Sequence, residues 1–296
     1  MKLNKRRKNI LFQKSTSEKI VFGIAFVFFL IWAASLLYPL VWLLTNSLKH
    51  NLHYLDSLSK GFALPPSGYW EWENYTQAIA HIEYNDTKFF GMLFNSIWYC
   101  LVSLGVNMFL SCCTGYILSK YEFKIRELIY GLAIVSMTLP VFGTSGATYK
   151  FYYVSGIFNT PFYAVFSSLG AFGVRFLMMY GFFKSISWSY AEAVFMDGGN
   201  DYTVFFKIML PMAFPMIITL FITGFIGLWN TYENIMLYMP LYPTLAVGLY
   251  EVREAFVDDF PVYYASLILA MIPIITMFVC FSDIIMKNFS IGGLKG

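Results

Sequence analysis

Residues 192–211 of this chain combine acidic side chains, glycines and a proline between two long apolar segments. They read EAVFMDGGNDYTVFFKIMLP, beginning with Glu192 and ending with Pro211. Acidic and apolar side chains in such a run can bind another protein. Protein binding would explain why a charged element of this composition lies between two apolar segments. The alternative is a plain amphipathic turn at a membrane surface. We predict a docking element here.

Motifs for covalent chemistry are absent from the sequence. It contains no GxxxxGK[ST] phosphate loop, so the chain should not bind ATP as an ATPase does, and it contains no HExxH or GxSxG motif. The four cysteines fall in apolar segments, which favours buried thiols over a disulfide or a metal site. His50 and His53 could share a helix face, but no further ligand is fixed near them. We predict that the chain is not an enzyme and holds no metal or cofactor of its own.

The composition is typical of a membrane protein. Hydrophobic residues make up 58% of the chain and charged residues only 12%, whereas soluble domains have about 25% charged residues. Six segments with few or no charges each reach about 20 residues, the length at which a helix crosses a bilayer. Helix is expected because lipid offers backbone groups no partners. The sequence predicts an all-α membrane protein with six transmembrane helices, at residues 20–44, 91–119, 128–149, 161–183, 212–232 and 262–282.

The distribution of lysine and arginine predicts the orientation of these spans. Fourteen of the 20 basic residues fall in the N-terminal segment, the connection after the second span, the loop after the fourth span and the C-terminal tail. Because basic residues accumulate on the cytoplasmic side, both termini should be cytoplasmic. The basic N-terminus suits anionic lipid rather than nucleic acid. The predicted organisation is a cytoplasmic N-terminus at 1–19, a transmembrane domain at 20–286 and a cytoplasmic tail at 287–296. Within the transmembrane domain we predict an outer cap loop at 45–90 and a cytoplasmic loop at 184–211.

The spacing within residues 192–211 resembles the EAA loop of importer-type ABC permeases. Glu192 and Ala193 open the run, Asp197 and Gly198 follow, and Pro211 closes it. In that family a cytosolic ATPase grips this loop. The resemblance implies the ABC type I importer permease fold and an ATPase-coupling role for these five residues.

Three positions depart from the EAA pattern. Ser187-Trp188 stands where the family usually has a proline before the glutamate. Val194 occupies the third position of the motif, and Gly199 replaces the alanine that follows the glycine. Valine should fit less easily than alanine into a cleft on a partner protein, and Gly199 should make the turn more flexible. The motif residues Glu192, Asp197 and Gly198 are retained.

Most of the chain resembles the carbohydrate-type permeases, the maltose permease small-subunit group. The glycine-rich tail of that group reaches into the ATPase dimer, which implies the same role for Gly292, Gly293 and Lys295; a frayed terminus is the alternative. The segments that carry the resemblance, each weak alone, are Tyr38-Pro39, Ser47-Leu48-Lys49, Glu73-Asn74-Tyr75, Asn95-Ser96, Asn159-Thr160, Trp229-Asn230, Thr244-Leu245, Gly248-Leu249 and the final Gly292-Gly293-Leu294-Lys295-Gly296.

A cluster of aromatic and polar residues near the outer half of the fifth span could contact a sugar. Aromatic faces suit the apolar patches of sugar rings, and amides suit their hydroxyls. The alternative is helix packing together with the aromatic belt at the membrane interface. The candidates for lining the pore are Trp229, Asn230, Tyr232, Glu233 and Asn234.

Two further features lie inside the predicted spans. Arg175 is the one ionisable residue clearly within a span, and such residues are functional candidates by default. We expect it to reach towards the interface or to pair structurally, with guarding a gate as the alternative. The small residues Ser111, Gly115, Gly224 and Gly227 permit close helix approach.

Together these features predict the transmembrane permease subunit of an ABC importer that translocates a carbohydrate. An oligosaccharide is the favoured cargo. The implied partners are a second permease subunit in a heterodimer, two ABC ATPase subunits that carry ATP and Mg, and an extracytoplasmic sugar-binding protein. The implied location is the bacterial cytoplasmic membrane. Two alternatives stay open, a permease of the same class for a non-sugar solute and an ion-coupled secondary transporter. The second would need intramembrane carboxylates or charge pairs and broken helices in two matching halves, and the predicted spans show neither.

Overall fold

The computed structural model describes residues 16–58, 63–66, 68, 70–139, 143–255 and 259–291. These residues are mostly helical, as the composition predicts, and include one two-stranded antiparallel hairpin. In chain order the elements are α1 (Thr16–Ser47), α2 (Asn51–Ser57), α3 (Glu73–His81), β1 (Glu83–Tyr84), β2 (Thr87–Lys88), α4 (Phe89–Lys120), α5 (Arg126–Thr138), α6 (Ser145–Val154), α7 (Phe162–Phe166), α8 (Val174–Ser185), α9 (Ser189–Met196), α10 (Asp201–Thr203), a π-helical turn (Val204–Met209), α11 (Leu210–Trp229), α12 (Glu233–Tyr238), α13 (Leu245–Ala255) and α14 (Phe260–Ile291).

Four helices in the described part of the chain are long and apolar enough to cross a membrane. They correspond to the first, second, fifth and sixth predicted spans. Each rises about 30 Å or more at the α-helical spacing, which matches the hydrocarbon thickness of a bilayer. These helices cover Ser17–Ser47, Phe89–Lys120, Asp201–Trp229 and Phe260–Asp283.

The third predicted span, residues 128–149, consists of two helices. Helix α5 ends at Thr138 and α6 begins at Ser145. Leu139 has an extended backbone, with φ −82° and ψ 113°, which is the conformation that a following proline favours, and Pro140 follows it in the sequence. The residues on both sides are apolar, so hydropathy alone does not register the break.

The fourth predicted span, residues 161–183, is also broken. Helix α7 ends at Phe166 and α8 begins only at Val174. The residues between them read SSLGAFG, a sequence of low helix propensity. The side-chain amide of Asn107 on α4 donates a hydrogen bond of 2.8 Å to the carbonyl of Gly170. The long helix α4 thus satisfies part of the irregular backbone at this depth.

Helix α4 lies at the centre of the bundle and contacts α8, α11 and α13. Gly115 makes the contact with α8 possible, because a Cβ atom there would lie 3.0 Å from the backbone nitrogen of Tyr180 and 3.1 Å from the Cβ of Met179. A Cβ on Gly224 would also meet neighbours closer than 3.0 Å, whereas one on Gly227 would meet nothing within 4 Å. The predicted packing role therefore holds for Gly115 and Gly224, whereas Gly227 makes no such close approach within this chain.

At one end of the bundle, the described residues of the 45–90 segment fold onto the end of α1. Asn74 on α3 is 8% exposed, and its side-chain amide donates to the carbonyls of Ser47 and Lys49, both at 2.9 Å. The Tyr75 hydroxyl lies 2.8 Å from the Ser47 hydroxyl. One asparagine thus joins two distant parts of the segment.

Replacing Asn74 with alanine should lower the stability of the protein by about 1–3 kcal/mol, because two buried carbonyls lose their donor. The measurement is the thermal unfolding midpoint of the purified protein in detergent. Thr76→Ala is the matched control, since Thr76 lies on the same helix and its hydroxyl makes only an exposed local bond to Glu73. Equal midpoints for the two variants would contradict this assignment.

Candidate functional site: the 184–211 loop

The 184–211 loop is built around the short helix α9, which has one buried face. Ala191 is fully buried, and Trp188 and Val194 pack beside it against the cluster that contains Val204 and Met209. These three positions are three residues apart, so they lie on one side of the helix. The small Ala191 lets the helix approach the bundle closely.

The rest of the α9 surface is exposed and partly apolar. Glu192 and Ala193 are exposed, as are Phe195 and Met196, the latter to 87%. Tyr202, just beyond the helix, is 76% exposed. An apolar patch of this kind, with a carboxylate beside it, is typical of a surface that binds another protein.

Gly198 ends α9 in a Schellman motif. Its φ is +77°, in the left-handed region that glycine adopts without strain. The Gly198 N–H donates to the Phe195 carbonyl at 3.0 Å, and the Gly199 N–H donates to the Val194 carbonyl at 2.8 Å. The exposed Asp197 immediately precedes this turn. The motif residues Asp197 and Gly198 therefore fix where the exposed helix stops and the chain reverses.

The two unusual residues of the loop, Val194 and Gly199, contact each other. A Cβ atom on Gly199 would lie 2.4 Å from Cγ1 of Val194 and 3.0 Å from its carbonyl oxygen. The larger side chain at one position thus occupies the space that an alanine at the other would need. Gly199 is explained by this packing rather than by the added flexibility that the sequence suggests.

Gly199→Ala alone should therefore destabilise the protein by about 1–3 kcal/mol through overpacking, and Val194→Ala should relieve this cost. The measurement is a double-mutant cycle on the thermal unfolding of the purified protein. We expect a coupling free energy of about 1 kcal/mol or more between the two positions. Additive effects of the two substitutions would contradict the proposed contact.

Two contacts tie the loop to the end of α4. The Tyr121 hydroxyl donates to the Asp201 carboxylate at 2.6 Å, and Lys120 Nζ donates to the Ile186 carbonyl. Burial, together with the hydrogen bond to Asp201, raises the pKa of Tyr121, so the phenol remains a neutral donor. The loop is thereby held at its beginning and near its middle. Sequence reasoning missed both anchors, although their position at the end of the second span was a signal.

The return from the loop into α11 is capped and locally widened. Asn200 accepts hydrogen bonds from the backbone N–H and the hydroxyl of Thr203, both at 3.0 Å. The π-helical turn (Val204–Met209) follows directly and leads to Pro211 in the first turn of α11. Proline has no N–H for the carbonyl four residues earlier, and a wide turn before it accommodates this loss. The loop is continuous with a membrane-length helix.

The predicted sugar-contact residues separate into a buried and an exposed set. Trp229 is 3% exposed, stacks on Phe225 and donates through Nε1 to the Ala270 carbonyl at 3.2 Å. This is the packing role that the sequence left as the alternative. Tyr232 is half-buried and stacks on Tyr250, with ring centroids 4.4 Å apart. The exposed members are Asn230, Glu233 and Asn234.

The other predicted positions can be placed only in part. Gly292, Gly293 and Lys295 lie outside the described residues. His50 and His53 have ring centroids 6.3 Å apart. Within the described ranges, no group of three or more metal-ligating side chains is present.

Comparison with known proteins identifies the class of this chain. Residues 111–290 match the family described as binding-protein-dependent transport system inner membrane component. The match covers more than half of the chain and includes the whole 184–211 loop. The chain belongs to this family. It is a permease component of an ABC transporter and a multi-pass protein of the bacterial inner membrane.

Relatives resemble this permease along nearly its whole length. The diacetylchitobiose uptake system permease protein NgcG of Streptomyces coelicolor is 28% identical over 95% of this chain and 91% of its own length. The sulfoquinovosyl glycerol transport system permease protein SmoH of Agrobacterium fabrum is 26% identical over 88% of this chain and 89% of its own. Both names describe transport components rather than enzymes.

A solved structure shares the fold of the permease. In the crystal structure of a bacterial ABC transporter involved in the import of the acidic polysaccharide alginate, one chain aligns with a TM-score of 0.74 and 21% identity. The alignment covers 91% of this chain and 98% of that one. At this identity the likeness establishes the importer permease fold.

Proposed function

We propose that this permease forms half of the membrane pore of an ATP-driven importer for a carbohydrate. The single observation that carries the proposal is the 184–211 loop, a rigidly attached element with an exposed, partly apolar helix face. The family membership of the chain supports an ATPase as the partner on that face. Glu192, Ala193, Asp197 and Gly198 are the residues through which ATP hydrolysis on the partner moves the pore, and Pro211 links them to α11.

The proposed topology has six crossings. The four long helices form the first, second, fifth and sixth crossings. Helices α5 and α6 together form the third crossing, and α7 and α8 together form the fourth. The 13 residues of α5 and the 10 of α6 rise roughly 35 Å together, enough to cross the hydrocarbon. The excess of basic residues supports cytoplasmic positions for both termini and the 184–211 loop.

The broken helices do not favour the secondary-transporter alternative. That alternative requires broken helices together with intramembrane carboxylates. No Asp or Glu occurs in the 32 residues of α4 or the 20 residues of α11, or in α6, α7 and α8 beside the breaks. Breaks without carboxylates suit a pore that moves a polar cargo and takes its energy from another subunit.

A carbohydrate, and an oligosaccharide in particular, is the proposed cargo. The relatives with a named cargo include permeases of systems for diacetylchitobiose, for arabinooligosaccharides and for melibiose, raffinose and stachyose, and also for sulfoquinovosyl glycerol and trehalose. Asn230, Glu233 and Asn234 offer amide and carboxylate groups to the hydroxyls of such a cargo, next to the Tyr232–Tyr250 ring pair.

The proposed partners are a second, related permease subunit, two ATPase subunits and an extracytoplasmic sugar-binding protein. ATP and Mg belong to the ATPase subunits. Gly292, Gly293 and Lys295 of the tail reach the ATPase dimer in this proposal. Helix α1 exposes many large apolar side chains, from Phe26 to Trp32 among others, and this surface is available to lipid or to the second permease.

The function is tested by purifying the tagged permease in gentle detergent and identifying the proteins that accompany it. The ATPase activity of the preparation is then measured with binding proteins loaded with different oligosaccharides, and with amino-acid-loaded binding proteins as the control. We expect an ATPase, a second permease and stimulation by one oligosaccharide. Stimulation only by an amino-acid-loaded binding protein would mean that the cargo is an amino acid and not a carbohydrate. Recovery of this chain alone would overturn the importer proposal.

A further inference from the structure

A cavity of about 460 Å³ lies where α4, α8 and α11 meet beside the break at residues 167–173. Asn107 on its wall is 13 residues before Lys120, the last residue of α4, or roughly 20 Å along the helix axis. The cavity therefore lies near the middle of the proposed membrane span. Its wall carries polar groups, among them Asn107, Ser111, Arg175 and Thr223.

The Arg175 guanidinium is the one charged group on this wall. Its Nη1 donates to the Asn107 side-chain oxygen at 3.0 Å. Among the described residues, no carboxylate lies within ion-pairing distance of Arg175, and its one hydrogen-bond partner is this neutral amide. A guanidinium has five N–H donors, so the hydrogen bond to Asn107 leaves most of them for other acceptors. A cation at this depth is costly without an anionic partner.

The neighbouring residues are arranged to hold the guanidinium at this point. The Asn107 side-chain amide accepts a hydrogen bond from Arg175 and donates one to the Gly170 carbonyl at 2.8 Å. One side chain therefore holds both the guanidinium and the backbone of the break at residues 167–173. On the other side, Gly224 provides the space, because a Cβ there would lie 2.5 Å from Nη2 of Arg175. The position of the charge is thus determined by residues on three helices.

The face of α11 that forms part of the cavity wall carries a second exposed polar residue farther along the helix. Thr223 is exposed and lies on the cavity wall, and Asn230 is exposed seven residues later. Seven residues are close to two helical turns, so both side chains lie on one face. This face leads to Glu233 and Asn234, the exposed residues proposed above to contact the cargo.

We propose that the Arg175 cavity binds an anionic group, a carboxylate on the transported carbohydrate, during its passage through the membrane. The inference rests on the proposed carbohydrate import function and specifies a substrate class, the acidic oligosaccharides. Arginine is suited to this role because its planar fork can bind a carboxylate through two parallel hydrogen bonds. Secondary transporters also bind their substrates near the midplane at broken helices.

The test compares two trisaccharides of the same linkage, trigalacturonate and the neutral α-1,4-galactotriose, on the complete complex in lipid nanodiscs. Binding is measured by saturation-transfer NMR, which detects weak ligands. The wild-type complex should bind trigalacturonate about tenfold more tightly than the neutral sugar, the size expected for one charge-assisted contact. Arg175→Gln should remove this preference, and Arg175→Lys should keep part of it, because a point charge lacks the bidentate geometry.

Gly224→Ala tests the same site without removing the charge. The new methyl group should displace the guanidinium and lower the affinity for trigalacturonate severalfold. Gly181→Ala on α8 is the matched control, since a Cβ there would meet nothing within 4 Å, and it should behave as wild type.

Absence of a preference for trigalacturonate in the wild-type complex would overturn the inference, and so would either of two further results. One is an unchanged preference for trigalacturonate in the Arg175→Gln complex. The other is loss of the second permease from that complex, which would make Arg175 a pairing residue between subunits. Failure of the proposed function looks different, because the wild-type chain would then purify without any ATPase.

Discussion

Replacing Gly198 with proline should reduce sugar uptake by a factor on the order of 10², the scale of loss that follows from a misplaced functional element. Proline fixes φ near −65°, whereas Gly198 has φ +77°. Proline also lacks the N–H that Gly198 donates to the Phe195 carbonyl at 3.0 Å. The end of α9 would therefore be redirected, and its exposed face would no longer present Asp197 and Met196 to the ATPase. Uptake of radiolabelled sugar by whole cells measures the effect.

A graded series separates this effect from general unfolding. Asparagine tolerates the left-handed region better than other side chains, and a Cβ at position 198 meets nothing within 4 Å. Gly198→Asn should therefore keep most of the uptake, and Gly198→Ala should fall between the two. All three proteins should accumulate in the membrane. Wild-type uptake in the proline variant would contradict the coupling role of the loop.

Gly115→Leu should have the largest effect on the fold. At this position a Cβ would already lie 3.0 Å from the backbone nitrogen of Tyr180 and 3.2 Å from the carbonyl carbon of Met179. Backbone atoms of a packed helix cannot move aside cheaply, so a leucine would force α4 and α8 apart and open the cluster around Phe183. We expect a loss of about 3 kcal/mol or more, at the upper end of the cost of overpacking. The measurement is the yield of monodisperse protein and its unfolding midpoint.

Gly105→Leu is the control for that substitution. Gly105 lies on the same helix and is exposed, and a Cβ there would meet nothing within 4 Å. Its replacement should leave the yield nearly unchanged. Comparable losses in both variants would mean that leucine disturbs α4 itself and not its contact with α8.

The sequence was sufficient for the helices whose signal is length and hydropathy. The spans around Phe89–Lys120 and Asp201–Trp229 were predicted because twenty apolar residues in succession have few other structures available in lipid. The breaks in the third and fourth spans were missed because apolar side chains continue through them. Pro140 and Gly170 were the available signals, but proline and glycine also occur within membrane helices and are ambiguous there.

For the candidate site, the motif located the loop but could not supply its contacts. Glu192 and Gly198 were identified from the resemblance of their spacing to the EAA loop, and the structure places them as an exposed carboxylate and a left-handed glycine. The compensation between Val194 and Gly199 requires coordinates, because it depends on one methyl group filling the space of another. The same is true of Trp229, whose burial against Ala270 on α14 has no local signal in the sequence.

The most direct test of the central claim is photo-cross-linking from the exposed face of α9. A photoreactive amino acid is placed at position 196, where Met196 is 87% exposed, and at position 154, where Val154 is 76% exposed on α6. Cells expressing all subunits are irradiated, and the cross-linked partners are identified by mass spectrometry. The account predicts an adduct with the ATPase from position 196 and none from position 154. An ATPase that purifies with the permease but cross-links from neither position would contradict docking on α9.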